Sequence, residues 1–233
     1  MSRTLLLMYA LGLVACTPPG RASEAMTPFG GAFEAITPSY PLDDVSRVVA
    51  AEGELPCRDK ASLGLVSYRG VLLQYDRPVH VHPAFAGQLK AFEEIVVEVA
   101  QAHFGRAPKR VVHFGAFACR PVRGRPELVS EHALGNALDV AGFDFGPLPR
   151  RRPQATEPPP ELPRPLQRAF QVRLLKHWNA TGKDAPQSAF LHALADRIVA
   201  RPDVFRVVLG PGWPGHDNHF HLDHAPYRLV GLQ

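Results

Sequence analysis

Near the end of the chain, GHDNHFHLDH at 215–224 gathers four of the eleven histidines into ten positions. Far upstream, SEHALGNALDVAGF carries His132 and Asp139 seven positions apart. Imidazole nitrogen and carboxylate oxygen are both good zinc ligands, each about 2.0 to 2.2 Å from the ion. On a straight α-helix, residues seven apart are offset by about 10 Å along the axis. His132 and Asp139 can therefore meet on one ion only if the chain turns between them, and Gly135-Asn136 is a turn-forming pair placed midway. The expectation is a segment ending at 130–132, a turn, and a strand over 137–141 that carries Asp139 inward. His219 and His221, two apart, share a face wherever the chain is extended. One would hold the metal and the other would lean over the open coordination position. Three protein ligands and one place for solvent is the composition of a catalytic zinc site, whereas a structural site usually has four ligands, often with Cys.

The pattern Ser130, His132, Gly135, Ala137, Asp139, with the late His219 and His221, resembles that of zinc peptidases that include lysostaphin-type endopeptidases, D-Ala-D-Ala carboxypeptidases and murein endopeptidases. With FACR before it and VLGPGWPGHDNHFHLD after it, the sequence most resembles the bacterial extensin-like C-terminal domain family, a branch of that superfamily, over roughly residues 55–228. The resemblance implies that His132, Asp139 and His221 ligate Zn2+. It also implies that His219 acts as base or transition-state stabiliser, that Arg120 binds a substrate carbonyl oxygen or terminal carboxylate, and that Ser130 and His216 support the site. Members of that family carry further cysteines near the start of the long helix and before the last strand. Here those regions read HPAFAGQL and ARPDVF.

The chemistry expected is amide hydrolysis. Zinc lowers the pKa of its water from about 15.7 toward 7 and polarises the scissile carbonyl, while His219 and Arg120 would supply proton transfer and oxyanion support. The second ring nitrogen of each liganding imidazole needs an acceptor, for which Asp223 and Asp217 are the candidates. Glu131 points away from the His132 face if 130–132 is extended. His80 and His82 also form His-x-His, but they precede a helix-opening proline and match no ligand position, so a structural role is expected.

Several elements must position these residues. LGLVSYRGVLLQY at 63–75 reads as two β-rich runs about Arg69-Gly70, a hairpin. From Pro83, the residues Phe85, Leu89, Phe92, Ile95, Val96 and Val99 keep helical spacing, with Gly105 as the stop. RVVHFGAFAC follows as a strand. A Pro-rich basic stretch from 142, with an insertion at 146–165, reads as a surface excursion. Helical patterns at 166–178 and 187–200 precede a β-branched run at 205–209. This order predicts an α+β domain at 45–233: a small central antiparallel sheet, helices packed around it, and the zinc site in a cleft on the sheet.

The first residues, MSRTLLLMYALGLVAC, have the layout of a secretory signal at 1–15 ending in small residues. Leu13-Val14-Ala15-Cys16 resembles a lipobox, which implies lipidation of Cys16; the alternative is a plain secretory signal. The Pro-, Gly- and Thr-rich stretch 16–44 reads as a flexible tether. Cys57 and Cys119 then remain as an even pair in an oxidising compartment, so a disulfide is expected, with two buried thiols as the alternative. Net charge is +4, a mild excess suited to an anionic polymer and without the dense basic stripe of a nucleic-acid binder. The sequence thus predicts a monomeric outer-membrane lipoprotein facing the periplasm, with peptidoglycan and the membrane as its partners. Its expected activity is that of a zinc peptidase on peptide stems or cross-bridges. A non-catalytic zinc-containing wall-binding lipoprotein and a histidine-rich metal carrier are the other two readings.

Overall fold

The long helical pattern forms as its caps dictate. In the computed structural model, which describes residues 40–50, 53–57, 63–149 and 161–233, helix α1 spans Pro83–Phe104. His82 precedes it in extended conformation, and its Nδ1 accepts from the Ala84 amide. Gly105 ends it at φ 63, its amide donating to the Gln101 carbonyl. His82 is thus a helix cap, as its place before Pro83 suggests. All described residues belong to one compact unit, 34–233.

The strands are β1 (Val66–Tyr68), β2 (Gln74–Tyr75), β3 (Val79–Val81), β4 (Arg110–Gly115), β5 (Pro121–Val122), β6 (Arg125–Val129), β7 (Ala137–Phe145), β8 (Phe170–Arg173), β9 (Val207–Leu209), β10 (Phe220–Asp223) and β11 (Leu229–Gly231). Seven of them form the main sheet in the order β11-β9-β10-β7-β4-β2, with β8 also paired to β7. The α+β class holds, but the sheet is neither small nor antiparallel throughout. β2 runs parallel to β4 and β11 parallel to β9, because after β10 the chain crosses to the far side of β9 before forming its last strand. β7 is the axis: β4 lies along one edge, while β10 pairs with Ala137 to Val140 and β8 with Gly142 to Phe145 on the other.

One face of this sheet packs on α1 and on α4 (Ala185–Val199). Leu138, Val140, Phe143 and Phe220 from the strands interlock with Phe85, Phe92, Phe104, Phe190 and Leu194 from the helices, all fully buried. Burial of such side chains contributes roughly 1.5 to 3 kcal/mol each relative to exposure. Alternation along β7 then fixes the opposite face for Asp139, which the core excludes.

Further sequence expectations change. The runs about Arg69-Gly70 do not pair with each other: β1 pairs with β3 and β2 with β4. The intervening amides of Val71 and Leu73 donate instead to the buried carboxylate of Glu93 on α1, at 2.9 and 3.1 Å, as does the Tyr68 hydroxyl at 2.6 Å. That capture replaces a hairpin ladder. The helical pattern at 166–178 is broken into two single turns, α2 (Arg164–Gln167) and α3 (Leu174–His177), with β8 between them. The free edge of β7 claims 170–173 as a strand, and tertiary pairing overrides the local spacing.

The signal at 1–15, Cys16 and the tether to residue 39 lie outside the described residues, as does 150–160 of the insertion. Residues 40–44, read as the end of the tether, are packed. Tyr40 and Leu42 are buried, and Asp43 pairs with Arg206. The base of the insertion is closed by Arg106, whose guanidinium donates to the carbonyls of Gly146, Leu166 and Arg168.

Candidate metal centre

His132 sits on a 3-10 turn, Glu131–Leu134, rather than at the end of an extended segment. Ser130 caps that turn by accepting from the His132 amide at 3.3 Å, so it shapes the backbone and does not touch the imidazole. Gly135 closes the turn at φ 65, where an added Cβ would lie 2.6 Å from Leu65 and 2.9 Å from the His82 nitrogen. Both conformation and space call for glycine. β7 begins two residues later and brings Asp139 directly opposite His221 of β10. The turn between His132 and Asp139 expected from their spacing is present, as is the strand.

Three atoms converge here. His132 Nε2 lies 3.2 Å from Asp139 Oδ1, His221 Nδ1 lies 3.0 Å from the same oxygen, and the two nitrogens are 3.1 Å apart. The other nitrogen of each ring is already committed. His132 Nδ1 donates to the Ala116 carbonyl at 2.6 Å, and His221 Nε2 donates to Asp223 Oδ2 at 2.8 Å. With both rings neutral, as metal ligands must be, these outer bonds would leave both inward nitrogens presenting lone pairs toward a carboxylate oxygen. Three electron-rich atoms so placed repel unless a cation lies among them. A tetrahedral ion with bonds of about 2.0 Å sets its ligand atoms roughly 3.3 Å apart, slightly wider than the separations here. The donor set and spacing fit zinc, and His132, Asp139 and His221 are the residues that would hold it.

Without an ion, a proton on His221 fills the same place. Burial alone would hold the His221 imidazole neutral, but hydrogen bonds to Asp139 and Asp223 push its pKa up to about 10. Burial likewise works against the Asp139 charge, and the two imidazoles overcome it, holding that carboxyl well below the usual carboxylate range.

His219 stands beside the trio, its Nε2 3.6 Å from Asp139 Oδ1. Its Nδ1 donates to Asn218 Oδ1 at 2.7 Å, which leaves Nε2 as the acceptor facing the trio. Burial foremost lowers its pKa to about 4, with Asp139 pulling the other way, so the ring is neutral at pH 7. The His216 ring lies tilted 4.9 Å from that of His219 and edge-on 5.8 Å from that of His221, and its Nδ1 donates to the Pro214 carbonyl. It flanks the site without bonding to a ligand.

Of the two acceptors expected for the imidazoles, Asp223 serves His221, while Asp217 is exposed. The acceptor for His132 is the Ala116 backbone, which no side-chain pattern in the sequence could reveal. Glu131 turns away from the site, as expected, though through the 3-10 turn. Its carboxylate accepts from Arg47 Nε at 2.8 Å and from Asn136 Nδ2 at 2.6 Å. Burial raises its pKa against the pull of Arg47. Arg120 is exposed and its guanidinium donates to the Pro121 carbonyl. Among the described residues, no hydrogen bond or ion pair joins it to the trio. Sequence reasoning missed Phe114, 54% exposed, whose ring meets His219 edge-on at 5.6 Å.

Cys57 and Cys119 are bridged, with their Cα atoms 5.4 Å apart. Cys57 packs in a small cluster with Tyr40, Val129, Ala133 and Leu134, directly behind the turn that carries His132. No helix among the described residues is long and apolar enough to cross a membrane.

No curated protein and no solved structure matches the chain significantly. The family model for the extensin-like protein C-terminus matches residues 43–147, the part that contains Arg120, the capped turn with His132, and Asp139.

Proposed function

We propose that this protein is a zinc-dependent peptidase that hydrolyses amide bonds in the peptide stems or cross-bridges of peptidoglycan, held by lipid on Cys16 at the periplasmic face of the outer membrane. The observation that carries the reading is the convergence of three lone-pair donors from two distant segments, with a neutral histidine beside them. A closed structural site would have no use for that fourth, non-liganding imidazole. The zinc, peptidase and envelope parts of the proposal also draw on the resemblance of the two histidine motifs to the peptidase superfamily.

Bound zinc supplies Lewis acidity toward a carbonyl oxygen and draws the pKa of a coordinated water from about 15.7 toward 7. The chain's own part is to position and to move protons. Ala116 and Asp223 fix the tautomers of His132 and His221, which orients both rings, and the Asp223 charge raises the basicity of His221. His219 Nε2 accepts a proton from water near Asp139, and the resulting imidazolium then faces the charge that develops on the substrate oxygen. Asn218 keeps that nitrogen bare beforehand. Glu131 is not the base, since its carboxylate is taken by Arg47 and Asn136.

The test is release of new amino groups and muropeptides from purified sacculi by the zinc-loaded protein, followed by mass spectrometry. His219→Ala should keep zinc at about one per chain and abolish release; His132→Ala should lose both. If the zinc-loaded wild type releases nothing from any peptidoglycan type, the hydrolase reading fails and a non-catalytic wall-binding role takes its place.

A further inference from the structure

The rim of the metal centre carries a cation that the peptidase reading leaves unused. β5 and β6 pair with Val122 opposite Arg125, so Arg123-Gly124 is a two-residue hairpin turn with Gly124 at φ 76. The hairpin is one unit with the metal-binding turn, because the Ser130 amide at its far end donates to the Arg120 carbonyl at its start. Its tip leans over the loop that leads to His219. A Cβ built on Gly215 would meet Arg123 Nη1 at 3.7 Å and, its chain neighbours aside, nothing else within 4 Å. The guanidinium therefore lies close to the Gly215 backbone, one residue from His216. Along the rim the order is Phe114 edge-on to His219, His219 tilted against His216, and Arg123 beside Gly215, the residue before His216. Arg125, two residues on, is paired with Glu127, whereas Arg123 projects from the tip.

Guanidinium presents a planar fork that matches a carboxylate in two parallel hydrogen bonds. Peptide stems of cell-wall polymer carry free carboxylates, and an extended peptide crossing the trio would pass Phe114 on one side and Arg123 on the other. We propose that Arg123 is a specificity-determining residue: it binds a free carboxylate of the peptide and so selects acidic stem peptides over neutral ones. This assignment rests on the peptidase reading for the identity of the substrate, but binding can be measured without turnover.

The probes are the tetrapeptide L-alanyl-γ-D-glutamyl-meso-diaminopimelyl-D-alanine and the same peptide with every carboxylate amidated, titrated calorimetrically into the zinc-loaded protein. Wild type should bind the acid at least tenfold more tightly than the amide. Arg123→Gln should weaken the acid about ten- to a hundredfold, leave the amide unchanged, and keep zinc at about one per chain. Arg123→Lys should retain part of the preference, since it keeps the charge and loses the fork. Equal binding of the two probes by wild type, no detectable binding of either, or a preference that survives Arg123→Gln overturns the assignment. Mass spectrometry of the probes after titration reports cleavage separately, so loss of the hydrolase reading and loss of the carboxylate site are distinguishable.

Discussion

The inward nitrogens of His132 and His221 are useful to a metal only because something else holds their outer nitrogens. For His221 that group is Asp223, nearly fully buried, which accepts from Nε2 through Oδ2 and from the Ala225 amide through Oδ1. Its charge raises the basicity of the ring and its position fixes the ring plane. Asp223→Asn keeps the size but removes the charge, and should lower zinc affinity about ten- to a hundredfold with the fold intact by circular dichroism. Competition with a chromophoric chelator measures it, and unchanged affinity would remove Asp223 from the account of the site. His224, the neighbouring residue, illustrates the opposite use of an imidazole. It is buried against Tyr40, with ring centroids 4.3 Å apart, and its Nδ1 donates to the Val204 carbonyl at 3.0 Å. Burial lowers its pKa from 6.5, so the native state holds it neutral where the unfolded chain takes a proton. Its contribution to stability is complete above about pH 6.5 and is lost as the pH falls toward the depressed native value. In urea titrations with chelator present, the midpoint should fall between pH 7 and pH 5. His224→Gln, which retains a donor but cannot titrate, should show a shallower fall, and identical slopes would mean that His224 does not carry the effect.

At the scale of elements, the site depends on a 3-10 turn of four residues being held in one place. Such a turn has little stability of its own. It is fixed from behind by the cluster of Tyr40, Leu42, Cys57 and Val129, by Arg47 on Glu131, and by the Tyr40 hydroxyl donating to Asn136 at 2.7 Å. The Cys57–Cys119 bridge closes a separation of 62 residues and ties this cluster to the chain just before the β5–β6 hairpin. The entropy removed from the unfolded chain corresponds to about 4 kcal/mol for a loop of that size. Cys57→Ser with Cys119→Ser should therefore lower unfolding free energy by about 3 to 4 kcal/mol in denaturant titration and weaken zinc binding, since the turn loses its backing. A double variant with undiminished zinc affinity would show that the turn is held without the bridge. The elements also show where local pattern misleads. Leu166, Leu174 and Trp178 are buried, as their spacing suggests, yet they sit on two separate turns with a strand between them. Apolar spacing reports which side chains go inside more surely than it reports the backbone that takes them there.

For the whole molecule, the sequence by itself determined the long helix with both its ends, the even pair of cysteines, and the candidate ligands His132 and Asp139 with the turn between them; it offered His219 and His221 as a pair, from which the family resemblance singled out His221. These are legible because caps, helical period and ligand chemistry are written in residue type and short spacing. Only the tertiary structure decided the mixed sheet, since strand order depends on which edge remains free when each segment arrives. It alone paired β7 with β10 in the register that sets Asp139 opposite His221, gave the Ala116 carbonyl to His132, and brought the tip of a hairpin against Gly215. Backbone acceptors and contacts between distant segments leave no mark on local composition, because they arise from the path of the chain and not from the identity of the residues along it.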